Sequence, residues 1–170
     1  MFNYKGFTFI ELIIVVVITG IIACFAVPYF QHLLISNEVN HFKRTITIYI
    51  QKAKTDARLY HRNVTLCASE DLENCHGDWT RGFIGFIDSN NNRTRDLRES
   101  ILYSEAFQYK YGTLMWKGTL SINSITFQGD TGLPRGSNGS FIYCMNAAAQ
   151  HTKLVLSNMG NIRIEKTSSC

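Results

Sequence analysis

From Phe7 to Phe30 the chain reads FTFIELIIVVVITGIIACFAVPYF, with Glu11 as its single charge. A helix of about 20 apolar residues crosses a bilayer, and no later stretch comes close in length or apolarity. The sequence therefore predicts one membrane element at the start and a soluble body behind it. A secretory signal would carry a basic start, a short apolar core and a small-residue cleavage site after that core. The start here, MFNYKG, does hold Lys5, but Glu11 intrudes early and the apolar run is too long. Basic residues stand on both sides, Lys5 before the run and Lys43 and Arg44 well beyond it, so charge guides orientation only weakly; the reading is N-terminus inside, head outside.

A length of 170 residues suits one head with an appended helix, and 45% hydrophobic with 18% charged residues excludes a disordered chain. The net charge is +4, and loss of a leader carrying Lys5 would leave 16 basic residues against 13 acidic, far from a nucleic-acid-binding tail. Of the five cysteines, Cys24 lies in the apolar run, whereas Cys67, Cys75, Cys144 and Cys170 lie in the soluble part. An even number there predicts two disulfides in an oxidising compartment, with three connectivities open.

Glu11 is the most informative residue. A carboxylate in a membrane helix costs on the order of 2.5 to 3.5 kcal/mol when central, and less near the interface, so it needs a functional reason. Cleavage after Gly6 would free an α-amino group on Phe7, one helical turn from Glu11 and able to pair with the carboxylate of a neighbouring copy. The run Gly6-Phe7-Thr8-Phe9-Ile10-Glu11-Leu12 after a short basic leader resembles the class III signal of type IV pilins and type II secretion pseudopilins. That resemblance implies cutting after Gly6 by a prepilin peptidase at the inner membrane, N-methylation of Phe7, and Glu11 as the assembly carboxylate. It also implies a hinge between Gly20 and Pro28, in the segment that unwinds when pilins pack; glycine is a poor helix former and proline removes a backbone donor.

Beyond Pro28, Ile35, Val39, Phe42, Ile46, Tyr49, Ala53, Ala57 and Tyr60 recur at three- or four-residue spacing, one face of an amphipathic helix. After Asn63 short β-branched and aromatic runs alternate with turn residues, which predicts antiparallel strands at 64–68, 83–87, 101–109, 120–127, 140–145, 152–156 and 161–166. The fold class expected is α+β: a leader at 1–6, a membrane and assembly helix at 7–30, an amphipathic helix at 31–62 and a β-rich head at 63–170.

Within the head, Val64-Thr65-Leu66-Cys67, Cys75, Asp78-Trp79, Gly82-Phe83 and Phe86-Ile87-Asp88 resemble the FimT/GspH-type minor pilins and pseudopilins. So do Asn90-Asn91-Asn92-Arg93 with Asp96 and Ile101-Leu102, Phe127-Gln128-Gly129, and Ser137-Asn138-Gly139-Ser140-Phe141. With local spacing, this resemblance implies the pairings Cys67–Cys75 and Cys144–Cys170. Closing the shorter loop is worth about 2 to 3 kcal/mol.

Neither a cofactor nor a metal is expected. The cysteines form no CxxC pair, and His32, His41, His61, His76 and His151 show no metal-ligand spacing. Asp88-Ser89-Asn90-Asn91-Asn92-Arg93 places oxygen ligands at alternating positions, as calcium loops do. There is no glycine for the sharp turn, Arg93 and Arg95 bring positive charge, and no bidentate glutamate is expected to close the loop at the required spacing, so the segment reads as a polar turn between strands. Gly136-Ser137-Asn138-Gly139 makes no nucleophile elbow, and the chain is read as a non-enzyme.

Some FimT-type pilins are implicated in DNA capture through a C-terminal Gly-Arg-x-Arg motif. The residues matching it are Gly160-Asn161-Ile162-Arg163, with asparagine in place of the first arginine. Arg163, Lys166, Lys153 and Arg135 are the cations expected to form a patch for double-stranded DNA. The role expected is a minor pilin that helps initiate or cap a type IV pilus among other major and minor pilins, with the head in the periplasm and then on the pilus. The alternative is the minor pseudopilin of a type II secretion system.

Overall fold

Helix α1 spans Phe9–Tyr60 without interruption. It is seen in a computed structural model that describes residues 6, 8–146 and 150–170. The chain divides into two units, Met1–Asn37 and Glu38–Cys170, and α1 contributes to both. In the first unit every described residue as far as Leu33 is exposed. The helix passes through Gly20 and Pro28 unbroken.

In the second unit the apolar period does what amphipathic spacing requires. Val39, Phe42, Ile46, Ile50, Ala53 and Ala57 are all buried. Two positions of the expected face shift: Tyr60 is 48% exposed at the frayed end of the helix, and Ile50 takes the innermost place beside a half-buried Tyr49. The helix stops where His61 adopts a left-handed φ of 52° and the Arg62 amide returns to the Ala57 carbonyl at 3.2 Å, a hydrogen bond that satisfies one of the terminal carbonyls.

Two antiparallel four-stranded sheets follow. The first has the order β3-β2-β1-β5 and the second β4-β6-β7-β8. Strands β1 (Val64–Ala68), β2 (Gly82–Ile87), β3 (Ile101–Ala106) and β5 (Ser124–Phe127) make the first; β4 (Gly112–Gly118), β6 (Gly139–Met145), β7 (His151–Leu156) and β8 (Ile162–Thr167) make the second. β1 is central and buried along its whole length, because it is covered on both faces. Val64, Leu66 and Ala68 join the main core with the helix, while Cys67 packs with Ile84 and Phe86 on the other side. At Gly85 of β2 a Cβ would lie 2.1 Å from the Tyr103 ring, and the β2–β3 register shifts beside it.

The main core joins the helix to both sheets. Phe42 stacks on Tyr143 of β6 at 5.5 Å, and Tyr49 meets Phe83 of β2 edge-on at 5.0 Å. Between the sheets Trp79 lies edge-on to Phe141 at 4.9 Å.

Two strand expectations are corrected. β4 was not foreseen, and the strand expected over 101–109 ends at Ala106, so that a separate strand crosses to the second sheet. The strand expected from Leu120 begins only at Ser124, because Thr119–Ser121 form a short 3-10 turn with Leu120 at φ 58°.

Candidate functional site

At the start of α1, Thr8 and Glu11 form a reciprocal cap. The Thr8 amide donates to Glu11 Oε2 at 2.9 Å, the Thr8 hydroxyl donates to the same oxygen at 2.7 Å, and the Glu11 amide reaches Thr8 Oγ1 at 3.4 Å. This is a capping box: it satisfies otherwise orphaned amides of the first turn. A carboxylate at the N-terminal turn is also favoured by the helix dipole. Glu11 thus has a local role within one copy of the chain, and among the described residues it is the only charge on a surface that includes Ile10, Leu12, Ile13, Ile14 and Val15, all exposed. Gly6 is exposed, while Phe7, the expected methylated residue, lies outside the described residues.

Gly20 has nothing within 4 Å of its Cβ position. One residue earlier, Thr19 Oγ1 donates back to the Val15 and Val16 carbonyls at 2.8 and 3.0 Å, a habit that loosens helices. The stretch from Thr19 to Pro28 therefore combines a back-bonding threonine, a glycine and a proline inside an intact helix.

Both cysteine pairs are bonded in the structure. Cys67–Cys75 closes the loop beside β1, and Cys144–Cys170 ties the C-terminus to β6. Inside the first loop Asp71 accepts the amides of Asn74 and Glu73 at 2.8 and 2.9 Å. These bonds, led by those from Asn74, hold its carboxyl well below the usual carboxylate range.

The cations expected to form one patch are divided, with Lys153 and Arg163 on one face of the β7–β8 pair and Lys166 on the other. In the β7–β8 register Lys153 lies opposite Glu165, and Thr152 lies opposite Lys166. Arg163 and Lys166 therefore point to opposite faces of β8, because side chains alternate. Arg163 Nε donates to Glu165 Oε1 at 2.6 Å, and Arg135 pairs with Asp130 at 3.7 Å. Gly160 has a turn's reason to be glycine: its φ is 72°, and its amide donates to the Ser157 carbonyl at 2.9 Å in the β7–β8 connection. Asn161 belongs to the same turn, donating its amide to Ser157 Oγ at 3.1 Å.

One residue of consequence, Glu38, belongs to no motif of the sequence. Glu38 accepts the amides of Lys110 and Tyr111, each at 3.0 Å, and the hydroxyl of Tyr143. It fastens the helix to the β3–β4 connection and to β6. Burial, reinforced by this hydrogen bond, pushes the Tyr143 hydroxyl above its ordinary range. Nothing local in the sequence signals this contact, because its partners lie 72 to 105 residues away.

A family model described as "Type II transport protein GspH" matches residues 44–160. The chain belongs to the GspH family. Residues 1–26 match the prokaryotic N-terminal methylation motif, so the prepilin-type signal and the GspH-type head occur in one chain, as in the pilin and pseudopilin subunits that assemble with other pilins into filaments. The crystal structure of the type IV minor pilin FimU from Pseudomonas aeruginosa (strain PAO1), in space group P21, is similar at a TM-score of 0.53 and 20% identity, covering 76% of this chain and 89% of that one. The P65 crystal form of FimU gives a TM-score of 0.46 at 21% identity, covering 72% and 88%. Comparison with curated proteins finds no match. The FimU likeness is one of fold: a long N-terminal apolar helix packed on antiparallel sheets. Within the GspH family, then, the sequence expectation of a FimT/GspH-like pilin holds.

Proposed function

We propose that this chain is a minor subunit of a type IV pilus, anchored by α1 in the inner membrane with its head in the periplasm until it enters the filament. Prepilin peptidase removes residues 1–6, and Phe7 becomes the methylated N-terminus. The observation that carries this reading is Glu11, the single carboxylate on the exposed apolar surface of a helix long and apolar enough to cross a membrane. In the free subunit its oxygen is occupied by Thr8. In the filament the freed amine of a neighbour replaces that cap with an opposite charge, which a low-dielectric setting makes far stronger than in water. Gly20 and Pro28 give the segment between them a hinge for packing.

The role is one of assembly: initiating or capping the filament rather than catalysis. Mass spectrometry of the protein from its own membranes tests the processing. An N-terminus at N-methylated Phe7 is expected, and one still at Met1 overturns the proposal.

The matched GspH description favours a second reading, the minor pseudopilin of a type II secretion system. A deletion strain separates the two, since loss of twitching or transformation supports the pilus and loss of exoprotein release supports the secretion system. DNA capture finds little support, because Arg163 and Lys166 lie on opposite faces of β8 and Arg163 and Arg135 are already paired with carboxylates.

A further inference from the structure

The loop between β2 and β3, expected to be a plain polar turn without a closing glutamate, carries Glu99 at the closing place of a twelve-residue spacing that starts at Asp88. Asn90 is third, Asn92 fifth, Thr94 seventh, Asp96 ninth and Glu99 twelfth, which are the ligand positions of a twelve-residue calcium loop. The sixth position, glycine in such loops because of the sharp turn, is Arg93, and its φ is 63°. The backbone therefore makes the required left-handed turn even though the residue there is arginine.

Spacing and turn geometry do not by themselves make a site. The independent observation is Asp88. It is 1% exposed, and its carboxylate reaches into the loop, where Oδ2 accepts the Arg93 amide at 3.0 Å and the Thr65 hydroxyl at 2.9 Å. Its Oδ1 is buried and has no hydrogen-bond partner. A bare carboxylate oxygen in a water-poor place costs free energy unless something of opposite charge comes to it.

Among the described residues neither arginine of the loop is ion-paired with a loop carboxylate. Arg93 lines a cavity of about 300 Å³ with Cys67, Cys75 and His76, and its buried Nη1 has no hydrogen-bond partner. Arg95 is drawn off to the carbonyls of Glu73 and Glu99, at 3.2 and 3.4 Å. The remaining ligand positions are occupied by donors a cation could replace. Asp96 Oδ2 accepts the side-chain amides of Asn90 and Asn92 at 2.7 and 3.0 Å, and Glu99 accepts the amides of Ser89 and Asp96 at 2.6 and 3.0 Å. Among the described residues no three His, Cys, Asp or Glu side chains stand gathered as a ready cage, so binding includes a rearrangement in which the two asparagine amides turn their oxygens inward.

We infer that the loop Asp88–Glu99 binds a calcium ion through Asp88, Asn90, Asn92, Asp96 and Glu99, with the Thr94 carbonyl at the seventh position. Calcium suits an all-oxygen, loosely shaped set of this kind, whereas magnesium demands near-ideal octahedral geometry. The inference stands independently of which filament the chain enters.

The test is titration of calcium chloride into the purified full chain in detergent, followed by isothermal calorimetry and by thermal unfolding, with magnesium chloride in parallel. Saturable binding is expected with a dissociation constant on the order of 10⁻⁴ to 10⁻³ M, the range of extracellular calcium modules, together with a rise in unfolding temperature. Magnesium should bind at least about tenfold more weakly. Asp96→Asn and Asn92→Ala change exposed residues; each should weaken calcium binding by about tenfold or more, by loss of a ligand, while leaving the calcium-free unfolding temperature within a degree or two of the parent. Absence of saturable binding at 10 mM calcium, equal binding of magnesium, or full retention of binding by both variants would overturn the site.

Discussion

The two stretches of α1 have the same backbone and opposite relations to their surroundings. In the first unit Phe9, Ile10, Leu12 and their successors are exposed, and no residue of the apolar window is buried. In the second unit six apolar residues from Val39 to Ala57 are buried. A helix that is apolar all round belongs to a non-aqueous or protein environment, and one with a single apolar stripe belongs to its own head. Mutations in the first stretch should therefore act on assembly and leave the fold alone, while mutations in the second should act on the fold first.

The largest effect expected is on assembly. Glu11→Ala should lower incorporation into sheared filaments by tenfold or more, read by immunoblot against the membrane pool, with the urea midpoint of the head unchanged. The size follows from one charge pair in a low-dielectric setting being worth more than 1.4 kcal/mol. Filaments that accept Glu11→Ala as readily as the parent would remove the distinction between the stretches. For the second stretch the counterpart is Phe42→Ala. Phe42 is fully buried and stacked on Tyr143, so its truncation should cost the head about 3 to 5 kcal/mol in urea unfolding.

The disulfides sharpen the same comparison, because both lie in the second unit. Replacing Cys144 and Cys170 together by serine opens a loop of sequence separation 26 and should cost about 3.5 kcal/mol by the chain-entropy relation. The Cys67 and Cys75 pair, of separation 8, should cost about 2.5 kcal/mol. Urea denaturation in parallel gives the order; the reverse order would mean that the short loop contributes packing beyond its constraint, through Cys67, Ile84 and Phe86.

Alkaline pH probes the helix–sheet contact of the second unit. Burial, with hydrogen bonding to Glu105 at 2.7 Å, pushes the Tyr49 hydroxyl up to about 12. Tyr103, Tyr109 and Tyr143 are raised as well, chiefly by burial. A hydroxyl whose folded value exceeds its unfolded value of about 10 holds its proton in the native state while the unfolded chain has lost it. The stabilisation is therefore whole below pH 10 and is lost as pH rises from about 10 towards 12. A series of urea midpoints against pH should stay level from pH 8 to 9.5 and then fall, and Tyr143→Phe should make that fall shallower. An unchanged slope in Tyr143→Phe would mean that the Glu38 contact does not carry the alkaline sensitivity.

The difference between the two stretches was legible in the residues, since each depends on local period. The expected β1 matches the observed one end to end, because Val64–Ala68 is a dense apolar and β-branched run bounded by turn residues. β4 was missed although Leu114 and Trp116 alternate with Thr113 and Lys117, because a run of seven with glycine at both ends reads as a connection. The division into two sheets and the Glu38 contact were out of reach for another reason: both depend on residues paired across long separations, which no local pattern encodes. The spacing from Asp88 to Glu99 is written in the sequence, whereas the buried, unpartnered Oδ1 of Asp88 is visible only once the loop is folded against β1.

The smallest effect expected is at β8. Arg163 and Glu165 form an exposed pair, with side chains 74% and 36% accessible, and such pairs contribute roughly 0 to 1 kcal/mol. Arg163→Ala with Lys166→Ala should therefore shift head stability by no more than about 0.5 kcal/mol. A gel shift of the full chain with duplex DNA across a salt series gives the same variant a second readout. Because the two side chains project from opposite faces of one strand, they cannot approach the same phosphate row without a change in β8, and any weak retention of DNA should be the same in the variant and the parent. A loss of binding confined to the double variant, and a flatter salt slope with it, would mean that β8 presents both cations to one strand of DNA and would make this edge of the head a second functional region, distinct in kind from the membrane stretch of α1.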